Sequence, residues 1–274
     1  MAFTVTEITT VSDGTAAQPN WVSSSFNVSA GDLIVVAEGH QSSAAPTSIV
    51  DSLGNSYVKE EQSNRSTFAF QSLWAFYYAA PATGITVTIT YAASVNLRQA
   101  KVIRVAGASS SFLSTVTAGG TAGNAVISNN GLNTTVTTGS MTPTAPVLVL
   151  ALLHYNNTTA PSATPSGYTR IGTDLTQATR HTTLSAYYKE QVSIGAENPA
   201  WTITSIEWAA GQMGIVPGVS GTPDFATQDF RIVGIAPNTD VKTQDFRIVG
   251  IDPTAPVYTQ LETHLTAVTR SATW

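Results

Sequence analysis

The sequence predicts an all-β protein: a jelly-roll-like β-sandwich built from two similar halves, followed by a C-terminal extension with two repeated strands. Three observations predict this class. Apolar and polar residues alternate with a period of two along most of the chain, clusters of Gly, Pro, Asn and Ser punctuate the runs, and no stretch before residue 257 carries an apolar stripe of helical period. Side chains of a strand point alternately to opposite faces, so a half-buried strand produces this pattern.

The elements follow in order. Leu33-Ile34-Val35-Val36-Ala37 is a nearly continuous apolar run, as expected of a central strand buried on both faces or of a strand in a sandwich core. Ile85-Thr86-Val87-Thr88-Ile89-Thr90-Tyr91 and Lys101-Val102-Ile103-Arg104-Val105 alternate. A Ser/Gly/Thr/Asn-rich passage over 107–140 reads as the connection between the halves. Val147 to Leu153 is a second continuous apolar run, and Trp201-Thr202-Ile203-Thr204 alternates again.

Two internal repeats are present. In the longer one, Asp32 to His40 aligns with Pro146 to His154 at an offset of 114. Matches to residues 54–59, 74–78, 87–90 and 103–105 follow in the same order in the second half. The halves, about 1–107 and 135–217, form either tandem small sandwiches or one larger sandwich; the latter is favoured because each half has few strands with which to close a core. The shorter repeat is Thr227-Gln228-Asp229-Phe230-Arg231-Ile232-Val233-Gly234-Ile235, which recurs unchanged at residues 243–251, 16 positions on. Composition does not produce nine identities in nine positions. Each copy alternates as a strand suited to pairing along a sheet edge, either as an internal hairpin or, the favoured alternative, as an arm on a neighbouring subunit. The candidate assembly residues are Phe230, Arg231, Ile232, Ile235, Phe246, Arg247, Ile248 and Ile251, joined by Leu261 and Leu265, which fall at helical spacing in the last segment.

Composition limits function. The chain has 274 residues, 12 Lys+Arg against 17 Asp+Glu, a net charge of -5 and no Cys. It lacks the clustered basic charge that grips phosphate backbones, which argues against nucleic-acid binding. No apolar run approaches the roughly 20 residues of a membrane span, and the N-terminus lacks the pattern of a secretory signal, so synthesis in a cytoplasm without a signal peptide is expected. Without Cys there is no disulfide, thiol nucleophile or Cys-ligated metal. Of the charged residues, ten lie between Asp224 and Arg270, which leaves the sandwich charge-poor.

Candidate chemistry is sparse. His40 and His154 end the two aligned strands, and Glu38 shares a face with His40, but neither His begins a metal-ligand spacing. Both are expected to be exposed or hydrogen-bonded to loops. Asp51, Glu60, Glu61, Glu190, Glu197 and Glu207 are expected at the solvated surface, with Glu60 and Glu61 on opposite faces of a strand. No nucleophile elbow or phosphate loop is present, so no catalytic residue, metal site or cofactor is assigned. Trp21, Trp74, Tyr77, Tyr78, Tyr187, Tyr188, Trp201 and Trp208 are expected mostly in the core, with one ring of each Tyr-Tyr pair outward.

The segments Gly31 to Ala37, Asp51-Ser52-Leu53-Gly54-Asn55-Ser56-Tyr57, Leu73 to Ala79 and Ile85 to Ile89, with Pro165 to Thr169 and Leu184 to Tyr188 in the second half, resemble a loosely defined group of β-sandwich proteins of bacteriophages and bacteria. The resemblance covers residues 3–217. It rests on strand patterns and a Gly-Asn turn. It implies a virion surface or adhesive module and assigns no functional residue. The expectation is therefore a phage structural protein, a capsid decoration or cement component whose partners are copies of itself and other virion proteins such as the major capsid or tail protein. The alternative is a tail or fibre component that binds a host receptor or glycan, and the third reading is a polysaccharide-acting enzyme.

Overall fold

The computed structural model describes residues 3–14, 17–42, 44–65 and 69–218. They form antiparallel sheets with no helix among them. The strands of the first half are β1 (Thr4–Asp13), β2 (Gln18–Val22), β3 (Phe26–Val28), β4 (Asp32–Gln41), β5 (Pro46–Asp51), β6 (Val58–Arg65), β7 (Ala69–Tyr78), β8 (Ala82–Ile85), β9 (Val87–Val95) and β10 (Leu97–Ala106). Those of the second are β11 (Ala108–Leu113), β12 (Val116–Ala118), β13 (Val126–Thr137), β14 (Thr142–Pro143), β15 (Val147–Tyr155), β16 (Thr169–Arg170), β17 (Leu175–Gln177), β18 (Thr182–Gln191) and β19 (Ala200–Pro217).

In the first half a five-stranded sheet, β1-β10-β4-β7-β6, faces a smaller one, β2-β9-β5. The chain passes back and forth between them, as in a jelly roll: β1 lies in the large sheet, β2 in the small, β4 in the large, β5 in the small, β7 in the large, β9 in the small and β10 in the large. Ile34, Val36, Trp74 and Val102 pack between the two sheets against Ile49, Val87, Ile89 and Tyr91.

The second half repeats the large sheet. Its order is β19-β15-β18-β16, with β11 and β13 both paired to β19. The long strand β19 does the work of β9 and β10 together. Its later residues pair with β15, while Trp201 and Thr202 pair with the end of β13 and Thr202 bridges to Ala163.

The two large sheets stack face to face. Leu33, Val35, Ala37, Leu73 and Ile103 of the first meet Leu148, Leu150, Leu152, Leu184 and Met213 of the second in one core. Strands β4 and β15 are thus covered on both faces, which is why their sequences are apolar at almost every position.

Two expectations need correction. The passage 107–140 is not merely a connection, since it holds β11, β12 and β13, and β13 is the twelve-residue partner of β19. Its polar residues stand on an outer strand facing solvent, while Val126 and Val136 turn inward. The offset of 114 also matches opposite faces. Ile34 and Val36 point to the outer layer of their own half, but Leu148 and Leu150, their aligned counterparts, point to the shared core. The repeated strands and the proposed arm lie outside the described residues, as do all ten candidate assembly residues from Phe230 to Leu265.

Candidate functional site

The chemistry-bearing side chains collect around β4 and β7. On the face toward the small sheet, Glu38 and His40 lie two apart on β4, and His40 Nδ1 sits 2.8 Å from Glu38 Oε1. The same carboxylate accepts hydrogen bonds from Tyr91 Oη at 3.0 Å and Ser72 Oγ at 2.9 Å, and Ser72 in turn accepts from Trp74 Nε1 at 2.9 Å. His40 stacks on Phe70 at 4.7 Å and meets Tyr91 edge-on. Burial beside the Glu38 carboxylate pushes the Tyr91 hydroxyl well above its usual range, so it serves as a donor throughout. Arg98, opposite His40 on β10, binds Asp13 and the Asn20 carbonyl.

The opposite face of the same strands lines the seam between the large sheets. Gln71 and Gln99 flank Gly39 on either side, and the His154 ring projects from β15 over Gly39. Gln71 Nε2 donates to Glu61 Oε2 at 2.6 Å beneath Gly211, and Gln99 Nε2 donates to the Leu175 carbonyl at 2.6 Å. Gly39 and Gly211 are needed because a Cβ at either would overlap His154 or Glu61. Burial raises Glu61 to about 8, against the opposing hydrogen bonds from Ser128 and Gln71. Burial also lowers His154 to about 3, helped by the nearby His40. At neutral pH both groups are therefore uncharged, as a dry seam requires.

Lys101 completes the seam. Fully buried, it pairs with Glu7 and donates to the carbonyls of Ile171 (3.1 Å) and Thr173 (2.6 Å), joining the first half to a loop of the second.

Elsewhere, Asp51 organises the turn that carries the Gly-Asn pair. Its Oδ1 accepts from the Leu53 and Asn55 amides, each at 2.9 Å, and its Oδ2 from Asn55 Nδ2 and Tyr78 Oη. Gly54 supplies the positive φ of 87° that this turn demands. In the second half, Glu197 joins Lys189 at 2.7 Å and Tyr168 at 3.0 Å.

These positions correct the surface expectation. His40 and His154 are buried, not exposed, and His40 bonds to Glu38 of its own strand instead of a loop; Asp51, Glu61 and Glu197 are buried too, and these three are held by specific partners. Glu60 and Glu207 are half-buried, and only Glu190 is fully at the surface. Glu60 is the extra residue of a β-bulge between Lys59 and Glu61, so strict alternation does not separate it from Glu61. The aromatic residues fall as expected: Trp74, Tyr78, Tyr187, Trp201 and Trp208 are buried, while Tyr77 and Tyr188 turn partly outward. Lys101, Gln71 and Gln99 carry the seam yet were not singled out by the sequence. Their one signal is that polar residues stand on the inward period of otherwise apolar strands.

Two grooves open at the other end of the first large sheet, one on each side of Tyr77. The first, of about 280 Å³, is lined by Leu53, Asn55, Phe76, Tyr77 and Pro81. The second, of about 580 Å³, contains Asp32, Tyr77, Arg104, Ala106 and Ala108. Among the described residues, no cluster of three or more His, Cys, Asp or Glu is placed to hold a metal. What the described residues define is an all-β body in which several ionisable groups, Glu38, Asp51, Glu61, Lys101 and Glu197 among them, are buried on specific partners, with two grooves beside Tyr77. No protein-family model, curated protein or solved structure matches the chain.

Proposed function

We propose that this protein is a structural component of a repeated assembly, a bacteriophage virion protein of the capsid decoration or cement type, which associates with its neighbours through the C-terminal arm. The observation that carries the reading is the exact duplication of Thr227–Ile235 at Thr243–Ile251, after a body whose polar chemistry is used internally. Buried Glu38, Glu61, Asp51 and Lys101 each bind structural partners, which suits a rigid building block. Strand-forming arms that reach neighbouring copies are a recurrent way to hold symmetric assemblies. The virion setting rests on the resemblance of residues 3–217 to phage and bacterial β-sandwich proteins.

The test uses the full chain with Phe230→Asp and Phe246→Asp. Wild type is expected to form oligomers or a lattice in negative-stain images and to sediment as a concentration-dependent assembly. The double variant should remain monomeric with its β-rich circular dichroism unchanged. Assembly that survives the double substitution removes the arm from the explanation.

A second reading, a tail or fibre component that binds a receptor or glycan, draws support from the groove of Phe76, Tyr77 and Asn55, where a sugar ring has aromatic faces to stack on. A glycan-array signal lost on Phe76→Ala but kept in the arm variant favours that reading.

A further inference from the structure

We infer that the groove around Arg104 is the receptor for Asp-Phe segments in the arm of a second copy of this chain. This rests on the assembly reading above and specifies where the arm docks. Arg104 is a half-buried guanidinium that makes no hydrogen bond or ion pair with any described residue. It lines a groove of about 580 Å³ with Tyr77, Ala106 and Ala108 and with the polar Thr4, Ser29 and Asp32, so a cation stands beside a wall that is apolar in part. The other ionisable group there, Asp32, is buried and accepts the Ser29 amide at 2.7 Å, which leaves Arg104 to meet a ligand.

The arm supplies the complement. Asp-Phe occurs at Asp224-Phe225, Asp229-Phe230 and Asp245-Phe246, three times in the 56 residues after Gly218. A carboxylate followed directly by an aromatic ring matches a guanidinium followed directly by an apolar wall. Arginine forms two parallel hydrogen bonds with a carboxylate, and Arg and aromatic pairs dominate interface energetics. The groove's volume lies in the range of ligand sites generally. Gly218, the last of the described residues, also borders the groove.

The experiment measures self-association of the full chain by sedimentation velocity over a concentration series. It compares wild type, Arg104→Glu, Arg104→Gln, an arm variant with Asp224, Asp229 and Asp245 all changed to Arg, and the combination of Arg104→Glu with that arm variant. Thermal unfolding of each confirms that the body folds, and Arg104→Gln guards against a charge reversal that misfolds. Arg104→Glu and the arm variant should each weaken association at least tenfold, Arg104→Gln severalfold, and the combination should restore it. If the arm variant loses association while both Arg104 variants keep it, the arm assembles elsewhere and this docking site is overturned. If wild type is monomeric at every concentration, the assembly reading fails and takes the docking site with it.

Discussion

The imidazole of His154 occupies the space in which a side chain at Gly39 would begin: a Cβ built on Gly39 lies 2.8 Å from His154 Cδ2. The two residues sit on central strands of different sheets, so this contact is one of those that limit how closely the sheets approach. Gly39→Ala should therefore cost about 1–3 kcal/mol, the usual penalty for overpacking a closed core. Urea unfolding of Gly39→Ala, His154→Ala and the double variant measures it, and the double variant should recover part of the loss because the two effects share one site.

Stability should peak in mildly acidic solution. Glu61 titrates near 8 when folded against 4.5 when exposed, so the folded state holds its proton longer, and its contribution is lost as pH rises from about 4.5 through 8. His154 titrates near 3 against 6.5, so the unfolded state takes up the proton first, and stability is lost as pH falls below about 6.5. Glu61→Gln should make the alkaline limb shallower by removing the larger share, up to about 5 kcal/mol, while half-buried Glu60, which burial raises to about 7, keeps the remainder, and His154→Leu should flatten the acid limb. Thermal melts from pH 4 to 9 report both, and a Glu61→Gln curve as steep as wild type above pH 5 contradicts the assignment.

Lys101→Met should destabilise the body by about 3–5 kcal/mol, because it strands the Ile171 and Thr173 carbonyls and leaves Glu7 without its cation. Glu7→Gln keeps an oxygen acceptor for Lys101 Nζ and leaves both carbonyls satisfied, but it removes the counter-charge of a buried ammonium, so it should cost a smaller part of that loss. Equal losses in denaturant titrations of the two variants argue against a latch centred on the lysine.

Glu38 accepts three side-chain hydrogen bonds in a sealed site. Glu38→Ala should cost roughly 3 kcal/mol or more by leaving His40, Ser72 and Tyr91 with unmet polar atoms. Glu38→Leu with Ser72→Ala should recover some of this loss by removing polar groups on both sides. Unfolding midpoints of the variants decide it.

Much of the first-level architecture was legible in residue order. The runs Leu33 to Ala37 and Val147 to Leu153 read as central or sandwich-core strands, and the longer repeat pointed to two similar series of strands. Alternation also placed Glu38 and His40 on one face, where the structure joins them. The partners Ser72 and Tyr91 were not legible, because they come from strands 34 and 53 residues away from Glu38 in sequence and meet it only through sheet packing.

The sequence by itself determined the all-β class, the two continuously apolar strands and the exact nine-residue duplication, since these depend on local period and identity. Only the tertiary structure decided which face of each central strand met which layer. When both faces are apolar the period of two leaves no contrast, so an alignment shifted by one residue looks as good as the true one. That is why His40 and His154, paired by sequence, point into different cores. It is also why the polar seam of Glu61, Gln71, Gln99 and Lys101 emerged only once the two large sheets were stacked.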